Sequence, residues 1–407
     1  MIQALRSAPP RPVTQKPAAG PGPQDQVQLG GDPAPPAKWT ILVYSAGDNN
    51  LQADLRQNLI DAQKVGSSPN LNVVAQFDQG TDAGCARYAI KKSDSQTLDS
   101  PVVQDMGKQV DMSDPATLSD FIQWGMKKYP AQHYMLIISD HGDGWKGCVE
   151  DDSANDWMSL PKLQKGLQMA QDATGHKLDI LGFDACLMAN AEVAEQLKNN
   201  AGCMVASEET EGSAGWPYTR ILSPQALRSI NQALLMKSDT TSRELAANIV
   251  KDATAVQGDL PTMSAFDMDQ VPAMTEALKG LADAVKATAT SPNTLRDLAG
   301  QSQRFDDTSD LYDFADRISQ SKDVTDDKLK QAAQTLKTAI SNCIFAEQHS
   351  QENYPNAHGV SVYLGLDAQP SDDYRSLGMP QTTGWDKAID KWQNLGAAKV
   401  PVSPTRS

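Results

Sequence analysis

Cysteine is scarce in this chain: five of 407 residues, Cys85, Cys148, Cys186, Cys203 and Cys343, odd in number and widely scattered. A disulfide framework uses a dense, even set, so most of these are expected to be free thiols. No C-x-x-C pair occurs, which leaves a structural zinc site without its usual ligand spacing. Positive charge is also in deficit. Lys plus Arg total 36 against 51 Asp plus Glu, a net charge of -15, which repels phosphate backbones and acidic membrane surfaces and argues against nucleic acid as a partner. No apolar run approaches the length of a membrane span, and Met1 to Gly20 lacks the apolar centre of a secretory signal. A cytoplasmic location is the default expectation.

What is present has room for one large domain or two average ones. Residues 1–38 are rich in Pro, Gly, Gln and Ala and too poor in apolar side chains to offset the entropy of ordering, so they read as a disordered leader. An ordered domain is expected over 39–397, with a tail over 398–407. Trp39-Thr-Ile-Leu-Val-Tyr44, Leu71 to Phe77, Tyr134 to Ser139, Leu178 to Phe183 and Cys203 to Ser207 are continuous apolar runs suited to strands buried on both faces. Helical patterns alternate with them, near 51–65, after Ser113-Asp-Pro115, over 160–173 and over 188–199. That alternation predicts an α/β fold with a mostly parallel sheet, right-handed crossovers and helices on both faces. From about 224 to 347 the sequence turns mainly helical. A late strand over 359–364 and a helix near 385–395 close the domain, and no solenoid repeat is visible.

His141 and Cys186 each stand where one of these strands breaks off, 45 residues apart. The carboxyl ends of parallel strands line the ligand crevice of such folds, so the two can meet across one cleft as a nucleophile and its proton acceptor. The caspase pattern similarly places its His roughly 50 residues before an Ala-Cys nucleophile. A helix expected from Leu187 or Met188 would lower the thiol pKa through its positive end. Gly142 lets a substrate carbonyl approach the backbone, so its N–H and that of Cys186 are candidates for an oxyanion hole. Asp184, two residues before Cys186, reads equally as the acidic floor of a pocket for Arg or Lys or as a cap on the next helix. Cys148 has neither a strand before it nor a helix after it, and the Asn49-Asn50 turn reads as helix capping.

The motifs Trp39-Thr-Ile-Leu-Val-Tyr44 with Asp48-Asn-Asn-Leu51, Asp140-His-Gly-Asp-Gly-Trp145, Gly182-Phe-Asp-Ala-Cys-Leu-Met-Ala189, Val205-Ala-Ser-Glu-Glu209 with Gly215-Trp216, Asp310-Leu-Tyr-Asp-Phe-Ala315 and Gly359-Val-Ser-Val-Tyr363 run in order from about 39 to 364. Together they resemble the clostripain family of cysteine peptidases. The resemblance implies a caspase-like sheet and an endopeptidase that cuts peptides or proteins after Arg or Lys, with His141 and Cys186 as the dyad and Asp184 as an acid of the pocket. It also implies export, against the default above. The family often has Pro-Gly-x-Gly-Trp after the Glu-Glu pair, at times with an acid at x lining the pocket; this chain has Gly212-Ser-Ala-Gly-Trp216, with Ala214 at that position. The rival expectation is a caspase-like module that no longer cuts and binds basic peptide segments or a protein partner instead.

Members of the family can mature by proteolysis. Lys146, the only basic residue between His141 and Leu160, is the candidate for self-cleavage. The proposed chemistry requires no cofactor. Glu150-Asp-Asp152 with Asp156, and Asp306-Asp307 with Asp310 and Asp313, are candidate oxygen donors for calcium, although neither has the spacing of an EF-hand loop. Oligomeric state is not legible in the sequence.

Overall fold

The computed structural model describes residues 36–223, 241–254 and 260–393. Of the leader read over 1–38, residues 1–35 lie outside the described residues, as does the tail over 398–407, while β1 begins at Ala37 within the leader's last residues. Fourteen strands are found among the described residues: β1 Ala37–Ala46, β2 Leu71–Asp78, β3 Cys85–Ala89, β4 Val102–Gly107, β5 Ala131–Ser139, β6 Cys148–Asp151, β7 Asp156–Met158, β8 Leu178–Asp184, β9 Ala201–Ala206, β10 Thr262–Asp267, β11 Arg304–Phe305, β12 Thr308–Asp310, β13 Ile344–His349 and β14 Ser361–Tyr363. Nine form one sheet in the order β13-β10-β9-β8-β5-β1-β2-β3-β4. The five central strands, β9-β8-β5-β1-β2, are parallel. Both flanks are antiparallel: β3 and β4 on one side, β10 and β13 on the other.

Alternation along the strands sorts the core into two layers. Trp39, Ile41 and Val43 of β1 face a cluster with Leu55, Leu59, Ile249 and Val250. Leu42, Tyr44 and Ala46 face the opposite cluster with Leu118, Phe121, Leu163 and Leu278. Successive side chains of a strand point to opposite faces, so a run apolar at every position has helices on both sides. Helices Gln52–Val65 and Thr241–Thr254 cover the first face; Pro115–Lys128, Leu160–Thr174 and Val271–Ala287 belong to the second. Pro115 opens its helix as expected, with Asp114 accepting from the Ala116 amide. Among the described residues no helix is long and apolar enough to cross a membrane.

One expectation needs correction and two stretches carry more than the sequence showed. The block over 224–347, read as mainly helical, also holds strands: β10 and β13 extend the sheet, and β11 and β12 join β14 in a small second sheet. After His141, Gly144–Lys146 makes a 3-10 turn and β6 pairs with β7 as a hairpin. The helix after Cys186 starts at Ala191, not at Leu187 or Met188, because Asn190 accepts from the amides of Glu192 and Val193 and fixes the start there.

Candidate active site

Parallel pairing of β5 with β8 runs from Met135 opposite Ile180 to Ser139 opposite Asp184, a constant offset of 45 residues. His141 and Cys186 each lie two residues beyond that last pair, so the spacing in sequence is the register of the sheet. The two segments touch. A Cβ placed on Gly142 would lie 2.4 Å from the Cys186 carbonyl oxygen and 3.1 Å from its amide nitrogen, so only glycine leaves room for this approach. That contact brings the Gly142 and Cys186 backbones side by side, as an oxyanion hole requires. The hairpin secures the His segment from behind, through the Val149 amide to the His141 carbonyl at 3.1 Å and the Glu150 amide to the Asp140 carboxylate at 2.6 Å.

His141 is oriented by a residue from the loop after β1. Its Nε2 lies 2.7 Å from Asn50 Oδ1 and 3.8 Å from a Glu150 carboxylate oxygen. An amide oxygen only accepts, so Nε2 carries the proton and Nδ1 is left as the basic nitrogen. The Asn49-Asn50 turn does not cap the helix as expected, because Leu51 stands at the N-cap and no side chain caps it. Asn49 accepts from the Leu51 amide and donates to buried Asp140, while Asn50 holds the imidazole.

Cys186 sits at a sharp turn made by Leu187, whose φ of 68° is unusual for a residue other than glycine. Its sulfur receives the Glu211 amide at 3.3 Å. Burial pushes the thiol pKa up, the Glu211 amide lowers it, and nearby Glu211 and Glu209 raise it again. The expected lowering by a helix end is absent because the helix begins five residues later. Cys148 is fully buried and its thiol is pushed well above its ordinary range by burial, which leaves it without access to substrate. All five cysteines are free thiols.

A cavity of about 160 Å³ opens beside the sulfur. Leu51 and Leu55 are apolar parts of its lining, and Asp140, Asp184 and Glu211 are its acids. Asp184 is buried; it accepts from Ser139 Oγ at 2.8 Å, Tyr218 OH at 2.9 Å and the Trp216 amide at 2.9 Å. Burial raises its carboxyl pKa and these donors oppose the rise. It does not cap the next helix, which takes Asn190 instead. Glu211 was not singled out from the sequence, yet its carboxyl is buried although the residue as a whole is half-buried, and burial raises its pKa well above the usual range, with Asp184 adding to the rise. Glu208-Glu209 gave a motif; Glu211 gave none. Larger hollows exist, such as one of about 800 Å³ between helices Val271–Ala287 and Asp327–Cys343, but among the described residues its lining has no cysteine or histidine.

Lys146 lies outside this cavity, in the turn after the histidine. Its ammonium pairs with Asp143 at 3.0 Å and Asp307 at 3.2 Å, and its carbonyl accepts from the Trp157 indole at 3.0 Å. The acids expected to gather around calcium are divided. Asp156 pairs with Lys162, Asp313 with Arg317, and buried Asp310 accepts from the amides of Asp313 and His358. Among the described residues Asp143, Asp306 and Asp307 do converge, and the Lys146 ammonium pairs with two of them and offsets one of their three charges.

A cysteine and a histidine on adjacent strand ends of a parallel sheet, with a buried acid below them, define the class as a caspase-like cysteine peptidase. The chain belongs to the clostripain family, a C11 peptidase family whose model matches residues 43–392. Clostripain from Hathewaya histolytica is 25% identical over 422 residues, which cover 87% of this chain and 80% of that protein. A secreted C11 cysteine protease from Bacteroides thetaiotaomicron, solved in complex with an irreversible peptide inhibitor, has a TM-score of 0.63 and 20% identity, covering 86% of this chain and 100% of the other. An inactive zymogen C11 protease from Parabacteroides distasonis has a TM-score of 0.62 and 18% identity, covering 86% and 98%. At these identities the two structures speak for the fold. Family membership sets aside the reading of a module that no longer cuts, and the cytoplasmic default finds no support.

Proposed function

We propose that this peptidase cuts peptide bonds after Arg or Lys through a His141–Cys186 dyad. The observation that carries this reading is one cavity lined by Cys186, His141 and the buried acids Asp140, Asp184 and Glu211, with Leu51 and Leu55 as apolar lining suited to the stem of a basic side chain. Since burial keeps Cys186 a thiol at rest, His141 accepts its proton as sulfur attacks the scissile carbonyl carbon. The N–H groups of Gly142 and Cys186 hold the oxyanion. As the intermediate collapses, the imidazolium passes the proton to the departing amine and leaves a thioester. His141 then takes a proton from water, the hydroxide oxygen adds to the thioester, and the thiol is restored with release of the new carboxylate. Glu150, 3.8 Å from the ring, favours the transient imidazolium.

Self-cleavage after Lys146 belongs to the same reading. It requires the turn to open first, because both the side chain and the carbonyl of Lys146 are engaged. Cys186→Ala tests both points: it is expected to fold, to lose all cleavage of Arg and Lys amides, and to give the intact mass where the wild type is clipped at Lys146–Gly147. Retained peptide cleavage in that variant overturns the dyad; an unclipped active wild type overturns self-cleavage alone.

A further inference from the structure

The pocket contains a second acid whose sequence position gives no hint of its role. Glu211 and Asp184 are tied together by one residue, since the Trp216 amide donates to Asp184 at 2.9 Å and its indole N–H reaches Glu211 Oε1 at 3.5 Å. The other oxygen of Glu211, Oε2, is fully buried and, among the described residues, no N–H or O–H reaches it. Its neighbour in the cavity is the Asp184 carboxyl, with which it can only share a proton. Two buried carboxyls in contact cannot both ionise unless a cation joins them. The charged and titratable groups facing Glu211 are Asp184, Tyr218, Cys186 and, across the cavity, Asp140 and His141. Among the described residues no Lys or Arg lines the cavity.

We propose that Glu211 is a specificity-determining residue, which with Asp184 forms a two-carboxyl cradle for the cationic side chain before the cut and supplies the acid that Ala214 does not. This rests on the peptidase reading above. Binding is an exchange: the guanidinium or ammonium enters, the shared proton leaves to solvent, and both carboxylates then face the cation. Burial and the neighbouring acid hold the Glu211 proton in the empty pocket, so KM for a basic substrate falls as pH rises through that group's range. A neutral isostere gains nothing from the exchange.

The test compares peptides differing only before the cut, Arg against citrulline and Lys against norleucine, in the wild type, Glu211→Gln and Glu211→Asp. Removing one partner of a buried charge pair is expected to lower the Arg-over-citrulline ratio of kcat/KM by roughly 30-fold or more in Glu211→Gln. KM for Arg loses its pH slope there, and Glu211→Asp recovers part of both. Alkylation of Cys186 by iodoacetamide reports separately on the fold and the thiol in each variant. An unchanged ratio and pH slope in Glu211→Gln overturns the cradle while leaving the peptidase reading intact. A wild type that prefers citrulline and norleucine overturns the basic preference itself.

Discussion

Gly142→Ala puts the closeness of the two strand ends to a direct test. The new methyl would stand 2.4 Å from the Cys186 carbonyl oxygen, where ordinary contact begins near 3.4 Å, so the two segments must part by roughly 1 Å. Neither can yield by a rotamer change, because the obstacle is backbone, while β5 and β8 are locked in register behind it. A displacement of about 1 Å between reacting groups costs on the order of 100-fold in rate, or about 2.7 kcal/mol of barrier. The assay is kcat on a fluorogenic Arg amide, read beside the melting temperature and the rate of Cys186 alkylation by iodoacetamide. A large fall in kcat with the thiol still reactive is the expected outcome. If Gly142→Ala turned over within about threefold of the wild type, the approach of the two segments would have no bearing on catalysis and the dyad geometry would be wrong.

Two further outcomes follow from groups around the centre. Asn50→Ala removes the acceptor that holds the His141 Nε2 proton and is expected to lower kcat by roughly 10- to 100-fold with little change in KM; Asn50→Asp should raise the pH at which the ring loses its proton, and a kcat and pH profile like the wild type in both would refute the positioning role. Glu192, buried and accepting from the Tyr363 amide and the Tyr374 hydroxyl, has its carboxyl pKa raised by burial from an ordinary 4.5 to about 7. A carboxyl raised on folding favours the native state at low pH, and that advantage is lost as pH climbs through about 7. Glu192→Gln is therefore expected to match the wild type in urea unfolding near pH 4.5 and to be more stable by up to about 3 kcal/mol at pH 8; equal pH dependence in the two proteins would refute it.

The sequence and the structure agree best where a local signal coincides with a long-range one. The apolar runs of β1, β5 and β8 mark strands buried on both faces, and the 45-residue spacing of His141 and Cys186 is the offset of their pairing. β10 escaped notice because Thr262-Met-Ser-Ala-Phe-Asp267 is short, lies among helical patterns and becomes a strand through pairing with β9 and β13. Asn50 reaches His141 across 91 residues, and nothing local to Asn50 announces that contact. Glu211 looks like one more acid in a polar loop. Its burial arises only when that loop returns over the Cys186 sulfur and Trp216 inserts beside Asp184. The misplaced helix start had a local signal, Asn190 before Ala191-Glu192, outweighed by the apparent continuity of Leu187-Met188-Ala189.

The hairpin between β6 and β7 has a consequence for covalent continuity. Its exposed tip at Asp152 to Ala154 divides the chain into a segment that carries His141 and one that carries Cys186, yet β5 and β8 from the two sides are hydrogen-bonded neighbours within a single ladder. Scission at that tip would make two polypeptides without unzipping any pairing of the large sheet. The halves would stay mated along the β5–β8 seam, and denaturing electrophoresis would reveal two bands from a particle that travels as one under native conditions.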